Sequence, residues 1–247
     1  MIPKKYLDSI VRMSLKEDIG KGDVTTEAIL KENRKISAYL VAKEDFILAG
    51  VPIFERVFKV LSKDFEFNWI KKDGEPVKKG TKFCFIKGRI KEILKGERTA
   101  LNFIQRLSGI STLTRKFVKR LNDRKIVITD TRKTAPLLRE LDKYAVRLGG
   151  GKNHRMGLYD GVLIKDNHIK AAGTIKKAIK MAKSKIKKGV IIEVEARSLK
   201  EVRDAIDENP DVIMLDNMDV RNIRRAVKII GGRIKTEVSG GVTLSNI

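Results

Sequence analysis

Apolar residues recur along this chain in two regimes, and the change between them falls near residue 124. Before it the pattern is mixed. Residues 4 to 17 have helical spacing, and the stretch ISAYLVAKEDFILAG (36–50) alternates in β-rich pieces. VPIFERVFKVL (51–61) reads as a helix with Pro52 in its first turn, where a missing N–H costs nothing. FEFNWIKKDGEPVKKGTKFCFIKGRI (65–90) reads as strands broken by turns at Asp73-Gly74 and Lys79-Gly80. A long helical pattern follows. Leu94, Leu101 and Ile104 space like one buried face, as do Leu113, Phe117 and Leu121, with an interruption expected at Ser108-Gly109.

After residue 124 short, β-branched strands appear: IVITD (126–130), GVLIKD (161–166), VIIEVE (190–195), VIMLD (212–216) and TEVSG (236–240). Amphipathic helical segments, 136–148, 173–186, 198–208 and 218–230, separate them. Nearly continuous apolar strands alternating with helices predict a parallel sheet covered on its outer face, here a barrel or part of one. The expected division is an N-terminal α/β domain over 1–110, including part of the long helix, and an α/β barrel domain over 111–247.

Composition bounds the chemistry. The 247 residues carry 54 Lys plus Arg against 31 Asp plus Glu, a formal charge of +23. Such a charge suits nucleic acid, an anionic membrane or acidic small molecules, and a Lys- and Glu-rich surface also occurs in proteins from hot environments. One cysteine, Cys84, excludes an internal disulfide framework and a Cys-based zinc site, and its place in KFCFI predicts a core position. No apolar run reaches spanning length and the N-terminus has no leader pattern, so a cytoplasmic protein is expected.

Each strand after residue 124 is apolar until its carboxyl end, where polar residues stand: Asp130 and Arg132, Lys165 and Asp166, Glu195, Asp216, Ser239. In parallel α/β barrels those ends form the active face. Asp166 and Ser239 could equally cap the next helix. Arg132, Lys165 and Glu195 have no such explanation, and a buried charge costs several kcal/mol, on the order expected for incomplete pairing. The stretch GGGKNHRMGLYDGVLIKDNHI (149–169) holds both histidines, His154 and His168, with Lys152 and Arg155. A loop this cationic is expected to enclose something anionic. Arg forks match carboxylates and phosphates, the two acids could hold ribose hydroxyls or Mg²⁺, and Ser239-Gly240-Gly241 could offer backbone N–H groups to a phosphate. The composite suggests a receptacle for a sugar phosphate and a carboxylated partner.

Several motifs are absent. GGGKN lacks the earlier glycine and the following Ser or Thr of a P-loop, and GKGDVT (20–25) lacks the third glycine of a dinucleotide fingerprint. Two histidines without a His-Glu-x-x-His pattern argue against a metal hydrolase. His168 is expected to be structural.

The runs DTRKT (130–134), LREL-x-KYAV (138–146), GGGKNHRMGLYDGVLIKDNHI (149–169), EVE (193–195) and LDN (215–217) closely resemble the quinolinate phosphoribosyltransferase family. GDVTTE (22–27) and ERTALNFIQRLSGIST (97–112) are similar to the same family. The resemblance implies an N-terminal α/β sandwich and an incomplete parallel α/β barrel of the type II phosphoribosyltransferase kind. It implies transfer of a phosphoribosyl group from phosphoribosyl pyrophosphate to quinolinate, with loss of CO₂, in NAD biosynthesis, with Mg²⁺ and in a homodimer. On that resemblance Arg132, His154, Arg155 and Lys165 contact quinolinate, joined by Arg98 from the neighbouring subunit. Lys133, Lys165, Glu195, Asp216, Ser239 and Gly240 contact phosphoribosyl pyrophosphate, with Glu195 and Asp216 as candidate Mg²⁺ ligands. The family continues past SGGVTLSNI with a further helix, strand and glycine-rich phosphate loop, so a chain ending at Ile247 is expected to lack the last barrel unit.

Two rivals stand beside this reading. A paralogue of the same fold would act on another pyridine, or on a ligand in metal metabolism. A nucleic-acid binder would explain the charge, but the cations are dispersed along helices and no recognition motif accompanies the few aromatics.

Overall fold

The structure is a computed structural model and describes residues 2–123, 125–187 and 189–247. The chain forms two compact units, Met1–His154 and Arg155–Ile247.

The first unit begins with α1 (Lys4–Ile19), which buries Leu7, Ile10, Val11 and Leu15. This is the i, i+3, i+4, i+8 spacing of a single helical face. A short α2 (Val24–Ile29) starts where the Asp23 side chain accepts from the Thr26 N–H at 3.0 Å. Then come β1 (Lys35–Val41), β2 (Phe46–Ile47), α3 (Val51–Leu61), β3 (Glu66–Trp69), β4 (Pro76–Val77), β5 (Lys82–Arg89) and α4 (Ile90–Leu121). The strands β1, β5 and β3 form one antiparallel sheet in that order, while β2 and β4 pair separately. Phe54 of α3 meets Phe67 and Trp69 edge-on, with ring centroids 6.4 and 5.4 Å apart. Cys84 lies in this core as expected, and burial pushes its thiol up to about 12.

The long helix α4 corrects two expectations. It runs unbroken through Ser108-Gly109, and its buried stripe is Ile93, Gly96, Ala100, Phe103, Ile104 and Leu107, continued by Ser108, Ser111 and Thr114. Leu94 and Leu113 are 43% and 52% exposed, so they do not mark the core face. The hydroxyls explain both results. Ser108 Oγ accepts from the Ala49 N–H at 3.1 Å, Ser111 Oγ donates to the Ile47 carbonyl at 2.6 Å, and Thr112 Oγ1 accepts from the Ile47 N–H at 2.9 Å. These side chains satisfy the backbone at the end of β2 and just after it, so polar residues occupy the packed side of the helix.

A final helix, α5 (Arg139–Gly149), packs along α4. The expected strand IVITD is not formed. Among the described residues the segment makes one parallel bridge, Thr129 to Lys152, and Ile126 and Val127 are 58% and 40% exposed. With apolar side chains left at the surface and a single bridge, the segment has no ladder to join.

The second unit repeats strand and helix: β6 (Val162–Ile164), α6 (Asp166–Ala172), α7 (Ile175–Lys185), β7 (Ile192–Ala196), α8 (Leu199–Asp207), β8 (Val212–Asp216), α9 (Val220–Ile230) and β9 (Lys235–Ser239). The four strands are parallel and lie in sequence order, the βα repeat expected of a barrel segment. Thr174, Ser198 and Asp219 cap α7, α8 and α9 by accepting from the N–H groups of Lys177, Glu201 and Asn222. Ile192, Val194 and Ala196 of β7 and Ile213 and Leu215 of β8 pack with Ile179, Val202, Ala205, Ala226 and Ile230 of the helices. Alternate residues on each strand therefore face away from the helical layer.

Two backbone positions of the first unit make opposite stability predictions. A Cβ on Gly149 would lie 2.5 Å from Thr114 Cβ and 2.6 Å from the Ser111 carbonyl oxygen. Gly149→Ala should destabilise the protein by about 1–3 kcal/mol, because the α4–α5 contact must open. Leu137 adopts φ 65° with its side chain 71% exposed, a conformation that suits glycine. Leu137→Gly should gain about 1 kcal/mol, after the entropy of the added glycine is subtracted. Thermal denaturation of both variants checks the two signs.

Candidate functional site

Among the candidate residues of the first unit, His154 is tied to a buried carboxylate, that of Asp130. Its Oδ1 accepts from the ammonium of Lys143 and, at 2.9 Å, from the His154 backbone N–H. Its Oδ2 accepts from the Asn153 side-chain amide. Lys143 is wholly buried on α5 and also donates to the His154 carbonyl at 2.9 Å. Asn153 donates in addition to the Lys143 carbonyl at 2.9 Å and accepts from Arg147. The anion that organises the start of the cationic loop is thus a side chain of the same chain. Removing either member of the Lys143–Asp130 pair alone would leave an uncompensated buried charge, at about 3–5 kcal/mol.

The three glycines have a separate, steric function. Gly149 ends α5 against α4, and Gly150, at φ 97°, turns the chain out of the helix. The N–H groups of Gly150 and Gly151 return to the carbonyls of Arg147 and Val146 at 3.0 Å each, closing a Schellman-type end. Arg115 covers the carbonyls of Gly149 and Leu148 at 2.8 and 3.0 Å. Lys152 then bridges to the segment before Asp130, its N–H reaching the Ile128 carbonyl at 2.9 Å.

Arg132 and Lys133 follow Asp130 in a turn in which the Lys133 N–H reaches Thr131 Oγ1 at 2.9 Å and the Thr134 N–H reaches the Arg132 carbonyl at 3.0 Å. Arg139 holds this turn from α5, donating to Thr134 Oγ1 at 3.2 Å. Asp142, gripped by both nitrogens of the Arg106 fork at 2.9 and 2.8 Å, accepts from the Ala135 N–H at 3.3 Å. Arg132 Nε is buried and donates to no acceptor among the described residues. A buried guanidinium nitrogen without an acceptor is unusual in a folded protein and suits an anionic ligand. Arg98 stands on an exposed side of α4 and pairs with no acid among the described residues.

In the second unit the strand ends form a polar face. Parallel register places Glu195 beside Met214, Met214 beside Glu237, and Asp216 beside Ser239, all on the side away from the helices. Lys165, just past β6, reaches Glu195 at 3.1 Å. Its backbone N–H is accepted by His168 Nδ1 at 2.9 Å, so His168 has the structural function expected of it. Arg197, after β7, bridges two acids: its Nε donates to Asp216 at 3.1 Å and its Nη1 to Asp166 at 3.1 Å. The Asp216 hydrogen bond, above all, raises the Arg197 pKa. The Asn167 N–H, with the Arg197 charge beside it, holds Asp166 below the usual carboxylate range. Arg155 donates to the Gly161 carbonyl at 2.9 Å, fixing the turn that leads into β6.

Ser239 and Gly240 end β9 in a tight turn. The Asn217 N–H reaches the Ser239 carbonyl at 2.9 Å, and Gly240 takes φ 89°. A Cβ there would fall 2.2 Å from Asn217 Oδ1, so only glycine fits.

Sequence reading missed three residues that the structure makes central: Lys143, Arg197 and Asn153. Lys143 looks like one more solvated helix lysine among many. Its signal is its place on the buried side of α5, where Leu141 and Ala145 are also buried. Arg197 is signalled only by its position two residues past Glu195.

The whole chain matches known proteins. Residues 23–108 match the family model of the quinolinate phosphoribosyl transferase N-terminal domain, and residues 110–247 match that of the C-terminal domain. A probable nicotinate-nucleotide pyrophosphorylase [carboxylating] of Bacillus subtilis (strain 168) is 47% identical over 231 residues, covering 94% of this chain and 80% of the relative. The chloroplastic nicotinate-nucleotide pyrophosphorylase [carboxylating] of Arabidopsis thaliana is 42% identical over 264 residues, covering 99% and 75%. The crystal structure of NadC from Streptococcus pyogenes superposes with a TM-score of 0.94 at 39% identity, covering 99% of this chain and 87% of that one. With both domain models matched and relatives this similar over nearly its full length, the chain belongs to the quinolinate phosphoribosyl transferase family.

Proposed function

We propose that this protein transfers the phosphoribosyl group of phosphoribosyl pyrophosphate to quinolinate, with decarboxylation, yielding nicotinate mononucleotide, pyrophosphate and CO₂. The observation that carries this is the match of both domains to one family, with curated relatives of that activity 42–47% identical. The paralogue reading has no observation of its own here. Nor does nucleic-acid binding. No helix of the described residues is long and apolar enough to cross a membrane. A cytoplasmic homodimer is part of the proposal.

The residues present suit the chemistry. The pyridine nitrogen attacks C1 of the ribose as the bond to pyrophosphate breaks, so no protein nucleophile is needed. Quaternising the nitrogen stabilises negative charge on the adjacent ring carbon, so the neighbouring carboxylate leaves as CO₂, its bonding electrons stay on that carbon, and the carbon takes up a proton from water. The protein's task is orientation and electrostatic stabilisation. Arg132, His154, Arg155 and Lys165 would bind the two carboxylates of quinolinate. The buried, acceptor-less Nε of Arg132 supports its part in this. Lys133, Lys165, Glu195, Asp216, Ser239 and Gly240 would bind phosphoribosyl pyrophosphate. Glu195 and Asp216 are hard oxygen donors that already attract cationic side chains, Lys165 and Arg197, so they fit Mg²⁺ bound together with phosphates. When bound, Mg²⁺ would offset the charge that builds on the departing pyrophosphate.

Incubation with phosphoribosyl pyrophosphate, Mg²⁺ and either quinolinate or nicotinate, followed by product identification, tests the reading. Nicotinate mononucleotide and CO₂ are expected from quinolinate alone. Turnover of nicotinate, with quinolinate inert, would overturn it. Arg132→Ala and Arg155→Ala should each lose a charge-assisted pair, about 2–3 kcal/mol or on the order of a hundredfold in kcat/KM. Near-normal turnover by both would remove them from the carboxylate contacts.

Arg98 is proposed to act on the partner's substrate. Mixing Arg98→Ala with Lys165→Ala protein should restore part of the activity, because hybrid dimers hold one intact set. No rescue despite demonstrated subunit exchange would show that the sets are not shared.

A further inference from the structure

We propose that Lys143 is a positioning residue for quinolinate, acting through Asp130 to fix the direction of the His154 side chain. This rests on the reading of His154 as a quinolinate contact. Both backbone groups of His154 are held by one pair. Its N–H donates to Asp130 Oδ1 at 2.9 Å, and its carbonyl accepts from Lys143 Nζ at 2.9 Å. Lys143 Nζ also donates to the same Asp130 oxygen, so a single charge pair closes a ring around this one residue. Fixing N–H and C=O together fixes φ and ψ, and with them the Cα–Cβ direction. The residue before it is held too, since Asn153 bonds to Asp130 and to the Lys143 carbonyl.

Stability alone is a poor reason for this arrangement. Lys143 has no exposed surface, and its Asp130 partner is only 7% exposed. Buried ion pairs are commonly replaceable by apolar residues of similar size at no loss of stability. What an apolar pair cannot supply is two directional bonds to one peptide segment. Among the described residues, the hydrogen bonds of Lys143 reach one assigned substrate contact, His154, and only at its backbone. Its effect would therefore reach quinolinate through geometry, and a shift of about 1 Å in a binding group can cost on the order of a hundredfold.

The test uses the full chain with a double substitution, Lys143→Met with Asp130→Asn, which removes both charges at similar volume. The melting temperature and the KM values for quinolinate and for phosphoribosyl pyrophosphate are measured beside His154→Ala and the triple variant. The expected result is a melting temperature near that of the parent, an unchanged KM for phosphoribosyl pyrophosphate, and a quinolinate KM raised on the order of tenfold or more. The triple variant should be no worse than His154→Ala, because both changes act through the same side chain. An unchanged quinolinate KM in the folded double variant would overturn the proposal. So would equal losses for both substrates, which would mark a general structural defect, or full additivity in the triple variant. If the double variant does not fold, Asn153→Ala cuts one tie of the same ring, and the same selective rise for quinolinate is then required. A parent protein that turns over no quinolinate would refute the functional reading itself.

Discussion

The carboxylate of Asp130 is the constraint on which the candidate site of the first unit depends. It is buried, it receives a fully buried ammonium, and it receives a backbone N–H and an amide from the loop that follows α5. A chain with a formal charge of +23 would be expected to keep its cationic loops apart. Here one internal acid draws the loop in. The neighbouring glycines then make the approach sterically possible, by letting α5 end against α4 without a side chain between them. Charge and packing act on the same few residues.

The second unit reaches a polar face by another route, strand alternation. Its parallel strands turn Ile192, Val194, Ala196, Ile213 and Leu215 toward the helices, which leaves Glu195, Met214, Asp216 and Ser239 on the opposite side. Two cations pair with acids there. Lys165 meets Glu195, and Arg197 joins Asp216 to Asp166. These pairs hold the carboxylates in place. On the proposed function, an incoming sugar phosphate would meet groups with established partners and would exchange ion pairs rather than capture isolated charges.

Much of this was legible in the sequence for a physical reason. Strand-end polar residues stand out against apolar strands, and Lys165, Glu195, Asp216 and Ser239 were visible for that reason, whereas Arg132 follows a segment that forms no strand. The helices of the second unit follow from a strong period and from caps such as Ser198 and Asp219. Failures came where the usual signals carry other meanings. Ser108-Gly109 looks like a break in a helix, yet the Ser108 hydroxyl, with that of Ser111, satisfies the backbone around β2. Leu94 and Leu113 look like core and are exposed. IVITD has the composition of a strand, but pairing depends on a neighbour that composition does not describe. Lys143 is hidden in the same way: nothing in a lysine's identity says that it is buried, since only its partners make burial tolerable.

Hydrogen exchange of the ligand-free protein tests most directly whether an internal carboxylate, rather than bound substrate, holds the cationic loop. The amides of Gly150, Gly151, Lys152 and His154 all donate within the first unit, the last of them to Asp130. They should be protected before any quinolinate is added, and Asp130→Asn should speed the exchange of His154 most. Free exchange of these four amides in the ligand-free protein, with protection appearing only on addition of quinolinate, would contradict the account.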